Sequence, residues 1–256
     1  MTPICREPMQ SASSRSENSS LLLYRLLSES ESKKESFGDF VRHANSVLQR
    51  NKNLHQEVLD RQQATWTALT ATHSSIEEGK PSLRAETSWR LAIGLSYGRL
   101  WNAGFQLHPL YGFPYIPARS WKGAFRHSAV EMIGDERDPF IQRAFGTASK
   151  EGVVQFFDAP AELHNPLLAE DVINQHNREY YRGADVAPAD DSDPIPINFL
   201  TVAPGTGFRF AAFWPKGSLD AAEATCIREW FRRTLTEYGI GAKTRKGYGL
   251  FNAGGD

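Results

Sequence analysis

Apolar side chains recur at helical spacing early in the chain: Phe37, Phe40, Val41, Ala44, Val47 and Leu48 fall on one stripe. Leu54, Val58, Leu59, Trp66 and Leu69 continue the period in a second helix, which Gly79-Lys80-Pro81 ends. Beyond Pro81 the pattern changes. Trp89-Arg90-Leu91-Ala92-Ile93-Gly94-Leu95 alternates and predicts a strand, and a loop rich in Gly and aromatics follows from Ser96 to Pro117. Trp121 to Ile133 returns to the helical period, with Ala124, Phe125, Ser128, Ala129 and Met132 on one face and Ser120 placed to cap its start. Val153–Asp158 reads as the next strand, residues 160–194 as a polar excursion holding the acids Asp185, Asp190, Asp191 and Asp193. Ile195–Val202 and Phe208–Trp214 read as a hairpin turning at Pro204-Gly205-Thr206-Gly207. A helix from about Ser218 to Tyr238 presents Ile227, Trp230, Phe231, Thr234, Leu235 and Tyr238, and a short strand, Tyr248–Phe251, closes the chain.

Strand, helix, strands, helix, strand is the order of a ferredoxin-like fold in the α+β class, here with an inserted β-hairpin and an N-terminal helical extension. The expected organisation is a mobile Ser-rich arm over 1–36, a helical extension over 37–80 and a ferredoxin-like domain over 81–256. Within the arm, Leu21–Leu27 reads as a nascent helix or a docking segment. Many RNA-binding modules share this fold, but so do unrelated proteins, so function has to be argued from sites.

Charge is nearly balanced, 29 basic against 30 acidic residues in 256, so no global field draws the chain to a polyanion and any such site must be local. Cys5 and Cys226 lie too far apart in sequence to suggest a disulfide framework or a zinc site, and Cys226 sits among helical apolar positions as a buried thiol. The Leu21–Leu27 run is short and broken by Arg25, and neither a membrane span nor a signal peptide is visible. A cytoplasmic location is expected.

Two segments concentrate positive charge. Gly239-Ile-Gly241-Ala-Lys243-Thr244-Arg245-Lys246-Gly247-Tyr248-Gly249 carries four glycines and three cations with no acid. Glycine lets backbone amides approach a ligand closely, and Lys and Arg supply the field and donors that suit phosphate. A Walker loop is excluded because Ala242, not Gly, precedes Lys243 and the helix lies before the loop. Thr244 occupies the third glycine position of the dinucleotide fingerprint, which excludes that motif as well. The second segment is the interval from 87 to 130, in which no acid occurs but Arg90, Arg99, Arg119, Lys122 and Arg126 do. Simple proportion puts about five acids there. Arg119, Lys122 and Arg126 share one face at a helix start, whose free amides and dipole add to the attraction for anions, with Tyr111, Phe113, Tyr115 and Trp121 near enough to stack on bases.

Ile116-Pro117 followed by Ser120, Lys122-Gly123-Ala124 and Arg126, paired with Gly239–Gly249, resembles the RAMP superfamily of CRISPR proteins. Phe145-Gly146-Thr147, Val154–Ala159, Pro194-Ile195-Pro196 and Phe199–Val202 extend the likeness over about residues 85–251, and within the superfamily it is nearest to the sixth-subunit family of type III-B (Cmr) effector complexes. The chain departs from that family's usual pattern at Ala118, where Gly is common, and at Arg119, where a small polar residue is common. The resemblance implies a non-catalytic subunit near the 3′ end of a guide RNA, acting in antiviral defence. Its partners would be guide RNA (crRNA), target RNA and other RAMP subunits of the Cmr complex, with no membrane, small-molecule substrate, cofactor or metal. The RNA-contacting residues implied are Arg119, Lys122, Arg126, Gly239, Gly241, Lys243, Thr244, Arg245, Lys246, Gly247, Tyr248 and Gly249.

Some RAMP relatives are nucleases. Metal-dependent slicing uses an Asp in the loop after the first strand, and Ser96–Tyr115 contains no carboxylate. Metal-free cleavage uses His, for which His108 and His127 are the candidates. The expectation is therefore no catalytic residue, with a repeat-processing endoribonuclease and a protein-interaction subunit as the alternatives.

Overall fold

Ser36 opens the first helix: its hydroxyl accepts the Asp39 amide, and Phe37–Arg50 (α1) buries the six apolar positions its periodicity assigned. Lys52–Leu69 (α2) follows after Asn51 and buries His55, Val58, Leu59 and Trp66. The computed structural model describes Leu23 and residues 36–96, 102–175 and 195–252. Leu23 is fully buried in the main core, a fixed point within the segment expected to be a mobile arm. Apart from Ser36, the rest of that arm, Arg99, the acids between Asp185 and Asp193, and residues 253–256 lie outside the described residues.

The remaining elements, in chain order, are His73–Ser75 (β1), Leu83–Thr87 (β2), Tyr115–Ile116 (β3), Ala118–Ile133 (α3), Pro139–Phe145 (α4), Gln155–Phe156 (β4) and Ala159–Pro160 (β5). Leu168–Gln175 (β6), Ile195–Val202 (β7), Gly207–Phe210 (β8), Ala212–Pro215 (β9), Ala221–Arg233 (α5) and Phe251–Asn252 (β10) complete the fold. A single π-turn, Thr234–Tyr238, extends α5 into the glycine loop. No described helix is long and apolar enough to cross a membrane.

β8 and β9 form one central strand interrupted at Ala211. Phe208 pairs with Ala85 on one side and Ala161 on the other, and Phe213 pairs likewise with Ser75 and Gln155. The antiparallel order is therefore β10, β2 with β1, β8 with β9, then β4 with β5. Alternation along the central strand sends Phe208, Phe210, Ala212 and Trp214 into the core beneath α3 and α5, where Trp121 and Phe231 meet Phe210 at ring separations of 5.5 and 5.4 Å. Ala211 and Phe213 face the opposite side, which α2 covers with Trp66. His55 fixes α2 there through a 2.7 Å hydrogen bond from Nε2 to the Ala161 carbonyl and a ring stack on Phe113.

Several local expectations are corrected. Ile195–Val202 pairs along its whole length with β6, and β8 pairs with β2. The turn after Val202 is drawn to β2, where the Thr87 hydroxyl accepts the Thr206 amide and the Thr87 carbonyl accepts the Gly205 amide. β6 lay hidden in the presumed polar excursion because only Leu168 of it is buried, the positions from Ala169 to Asn174 being half-buried or exposed and polar or small for the most part. The sheet strand that follows Pro81 is Leu83–Thr87, whereas Leu91 and Ala92 make only isolated bridges, to Val202 and Ala242. Cys226 is half-buried on α5, and burial pushes its thiol pKa up.

Candidate nucleic-acid interface

The helix start and the glycine loop, more than a hundred residues apart in sequence, meet in one cleft of about 930 Å3. Arg119, Ser120, Ala124, His127 and Glu131 of α3 form one wall, and Gly239, Gly241, Thr244 and Arg245 of the loop form the other. Arg119 and Arg245 make no ion pair among the described residues, whereas arginines elsewhere are largely satisfied: Arg84 and Arg209 by Glu162, Arg90 by Asp171, Arg143 by Glu223, Arg232 by Glu77 and Arg233 by Glu237. Two cations left without acids over one cleft create a local positive field in a chain that has none globally. Of the acids at the rim, Glu237 is neutralised by Arg233, and Glu131 stands exposed.

Backbone geometry sets the loop. Lys243 sits at φ 62°, the one non-glycine residue with positive φ among the described residues, and a right-handed turn over Thr244–Lys246 follows it. This left-to-right succession turns neighbouring amides toward one side, the geometry of an anion-binding concavity. The Lys243, Thr244 and Arg245 amides donate to no other described group. Not all the loop glycines serve a ligand, however. Gly239 and Gly249 are buried, and their amides are bonded to the Thr234 and Arg90 carbonyls. A Cβ on Gly249 would lie 1.9 Å from the Ile240 carbonyl oxygen, and one on Gly241 would lie 2.6 Å from the Ala92 carbonyl oxygen. These three glycines let the loop close against itself and against the strand edge.

The other candidates are dispersed. Lys243 reaches across β7, its Nζ 5.8 Å from the Phe199 ring centre. Tyr248 is held internally: its hydroxyl donates to Asp171 at 2.6 Å, and burial together with that carboxylate pushes its pKa up to about 12. Lys246 and Gly247 lie outside the cleft, Lys246 on the exposed surface. Lys122 turns to the far side of α3, 5.7 Å over the Phe156 ring, and Arg126 pairs with Glu136 at 3.1 Å. Expected base-stacking aromatics are committed as well, Trp121 being fully buried with Nε1 donating to the Phe157 carbonyl and Phe113 stacking on His55.

Sequence reasoning did not find the cap of α3. The N-cap residue is Pro117, which has no side-chain donor or acceptor, and Ser120 lies exposed within the first turn. Asp158 supplies the cap from just before β5, the strand paired with β3, accepting the Ala118 amide at 2.7 Å. The helix end is thus occupied by a carboxylate, so the Arg119 side chain, not the helix dipole, attracts anions there. His108 is also committed: its Nδ1 accepts the Leu110 and Tyr111 amides at 3.2 and 3.3 Å, and burial lowers its pKa. Among the described residues, no group of three or more His, Cys, Asp or Glu is placed to hold a metal.

Residues 100–252 match the RAMP superfamily model, and the span takes in both basic motifs and more than half of the chain. The chain belongs to the RAMP superfamily. It is similar to the "CRISPR system Cmr subunit Cmr6" of Pyrococcus furiosus, 28% identical over 225 residues covering 64% of this chain and 65% of the relative. The Cmr6 subunit of Saccharolobus solfataricus is 30% identical over 163 residues, covering 63% of this chain and 52% of the relative. The chain therefore spans about half to two thirds of the length of these curated relatives. A chain in the cryo-EM structure of the type III-B Cmr-beta complex bound to cognate target RNA superposes with a TM-score of 0.65 at 25% identity, over 84% of this chain and 71% of that one.

Proposed function

We propose that this protein is a non-catalytic RNA-binding subunit of a type III-B CRISPR ribonucleoprotein, holding guide RNA near its 3′ end beside other RAMP subunits and serving antiviral defence. The observation that carries the reading is the convergence of Arg119 with Arg245 and the loop amides over one cleft, without a neutralising acid on either arginine. Similarity to Cmr6 subunits and to an RNA-bound Cmr assembly supports the same reading. The strand order β10, β2, β8 with β9, β4 with β5 supports a ferredoxin-like sheet, into which β6 and β7 are inserted as a ribbon in place of the hairpin expected between Ile195 and Trp214. In that sheet the face that stacks bases in many RNA-binding relatives of the fold is covered by α2, so the loop edge is the RNA surface. The non-catalytic reading draws support from His108, whose ring nitrogen is spent on its own loop.

Fluorescence anisotropy with single-stranded RNA, titrated across salt, tests this directly. Arg119→Ala combined with Arg245→Ala is expected to weaken retention for any sequence and to flatten the salt slope by about 1.4, at about 0.7 per phosphate contact. A wild-type slope in the double variant would remove the cleft from RNA binding. Cleavage of the RNA by the wild-type chain, abolished in His127→Ala, would instead make it a nuclease.

A further inference from the structure

A second groove, of about 680 Å3, lies on the other flank of α3 and is lined by Ala118, Arg119, Lys122 and the segment from Phe145 to Phe156. Three cations, Arg119, Lys122 and Lys150, face it against one acid, Glu151. Among the described residues, neither Lys122 nor Lys150 has an acidic partner, and Lys122 lies over Phe156. The wall opposite α3 is fixed: the Thr147 hydroxyl accepts the Ser149 and Lys150 amides, and the Thr147 amide donates to the Lys150 carbonyl. Protein-binding surfaces are depleted of lysine at their centres, whereas cationic grooves with polar turns and a half-buried ring suit a nucleic-acid backbone.

Arg119 lines both this groove and the loop cleft, so the two are neighbours across α3. Between them, one position of the first turns carries no side chain, Gly123. At about 100° per residue, Gly123 falls on the ridge between Lys122 on one flank and His127 on the other. An interior helical glycine costs helix stability, and this one has no packing reason, since nothing stands within 4 Å of where its Cβ would be. Its one evident consequence is a saddle, low enough for a strand to cross against the helix backbone.

Resting on the proposed RNA binding at the loop cleft, we infer that the bound strand continues over the Gly123 saddle into the second groove, where Lys122 and Lys150 take further phosphates. The test compares uridine oligomers of about four and about twelve nucleotides, lengths within the site sizes of single-strand grooves. Lys150→Gln is expected to lower affinity for the longer strand about fivefold at about 0.1 M salt and its salt slope by about 0.7, with the shorter strand unaffected. Gly123→Leu, a substitution that favours the helix, is expected to leave thermal stability no lower than wild type while pulling long-strand affinity toward the short-strand value. Unchanged long-strand binding in both variants overturns the second groove while leaving the loop cleft intact. Lost neighbouring subunits with unchanged RNA affinity would assign the groove to protein and overturn it equally. A wild-type chain that retains neither oligomer overturns this inference and the RNA-binding function together.

Discussion

Glycines that look alike in sequence do different work in the loop. Gly247 and Gly249 both have positive φ, 86° and 67°. A Cβ at Gly247 meets nothing within 4 Å, while one at Gly249 would collide with the Ile240 carbonyl. Gly247→Ala therefore carries only the backbone strain of a left-handed alanine, about 1 kcal/mol. Gly249→Ala must also push the loop off Ile240, breaking the Ile240–Gly249 hydrogen bond and loosening the Gly249–Arg90 one. In urea denaturation Gly249→Ala should lose markedly more stability than Gly247→Ala, and its RNA affinity should fall with the loop's geometry. Equal losses at the two positions would mean that the loop relaxes freely and that closure against Arg90 does not set its shape.

At the scale of elements, the site depends on where α3 begins. Asp158 caps it from the neighbouring strand pair, which fixes the first turn and with it the direction of Arg119. Asp158→Ala should cost about 1 kcal/mol, the usual worth of a side-chain cap, and lower RNA affinity by releasing that turn. Asp158→Asn keeps an acceptor and removes a negative charge beside the proposed phosphate path, so stability should hold while affinity rises. An Asn variant that binds RNA no better than wild type would separate the cap from the site's electrostatics. Much of this element was readable: the periodicity gave α3 its buried Phe125, Ser128 and Ala129, and the run without acids marked its exposed face, whereas Trp121, expected to stack on bases, is core. The cap was not, because its partner is 40 residues away in sequence, beyond any local rule. Tyr248 and Lys122 misled for a related reason: composition places charge and aromatics in a segment, but only packing against Asp171 and Phe156 decides which way they turn.

At the scale of the whole molecule, α2 shuts the second face of the sheet and rests on His55. That side chain is buried and neutral, its pKa lowered to about 4 by burial, while its Nε2–H donates to the Ala161 carbonyl. An unfolded chain binds the proton with an ordinary pKa near 6.5, so between these values it takes up more protons than the native state. Stability from the neutral imidazole is thus fully present above about pH 6.5 and is lost as pH falls toward 4, by about 3 kcal/mol in total. Protonation would place a cation between Phe113 and the sheet with no acidic partner among the described residues, so α2 should part from the sheet as the protein unfolds. Denaturation midpoints measured from pH 7 to pH 4 should fall more steeply for wild type than for His55→Gln, which cannot titrate. The variant should be the less stable of the two at pH 7, where it gives up the stack on Phe113, and the gap should narrow with acid. Parallel pH profiles would show that α2 is held by Trp66 alone and that the imidazole does not couple this helix to pH.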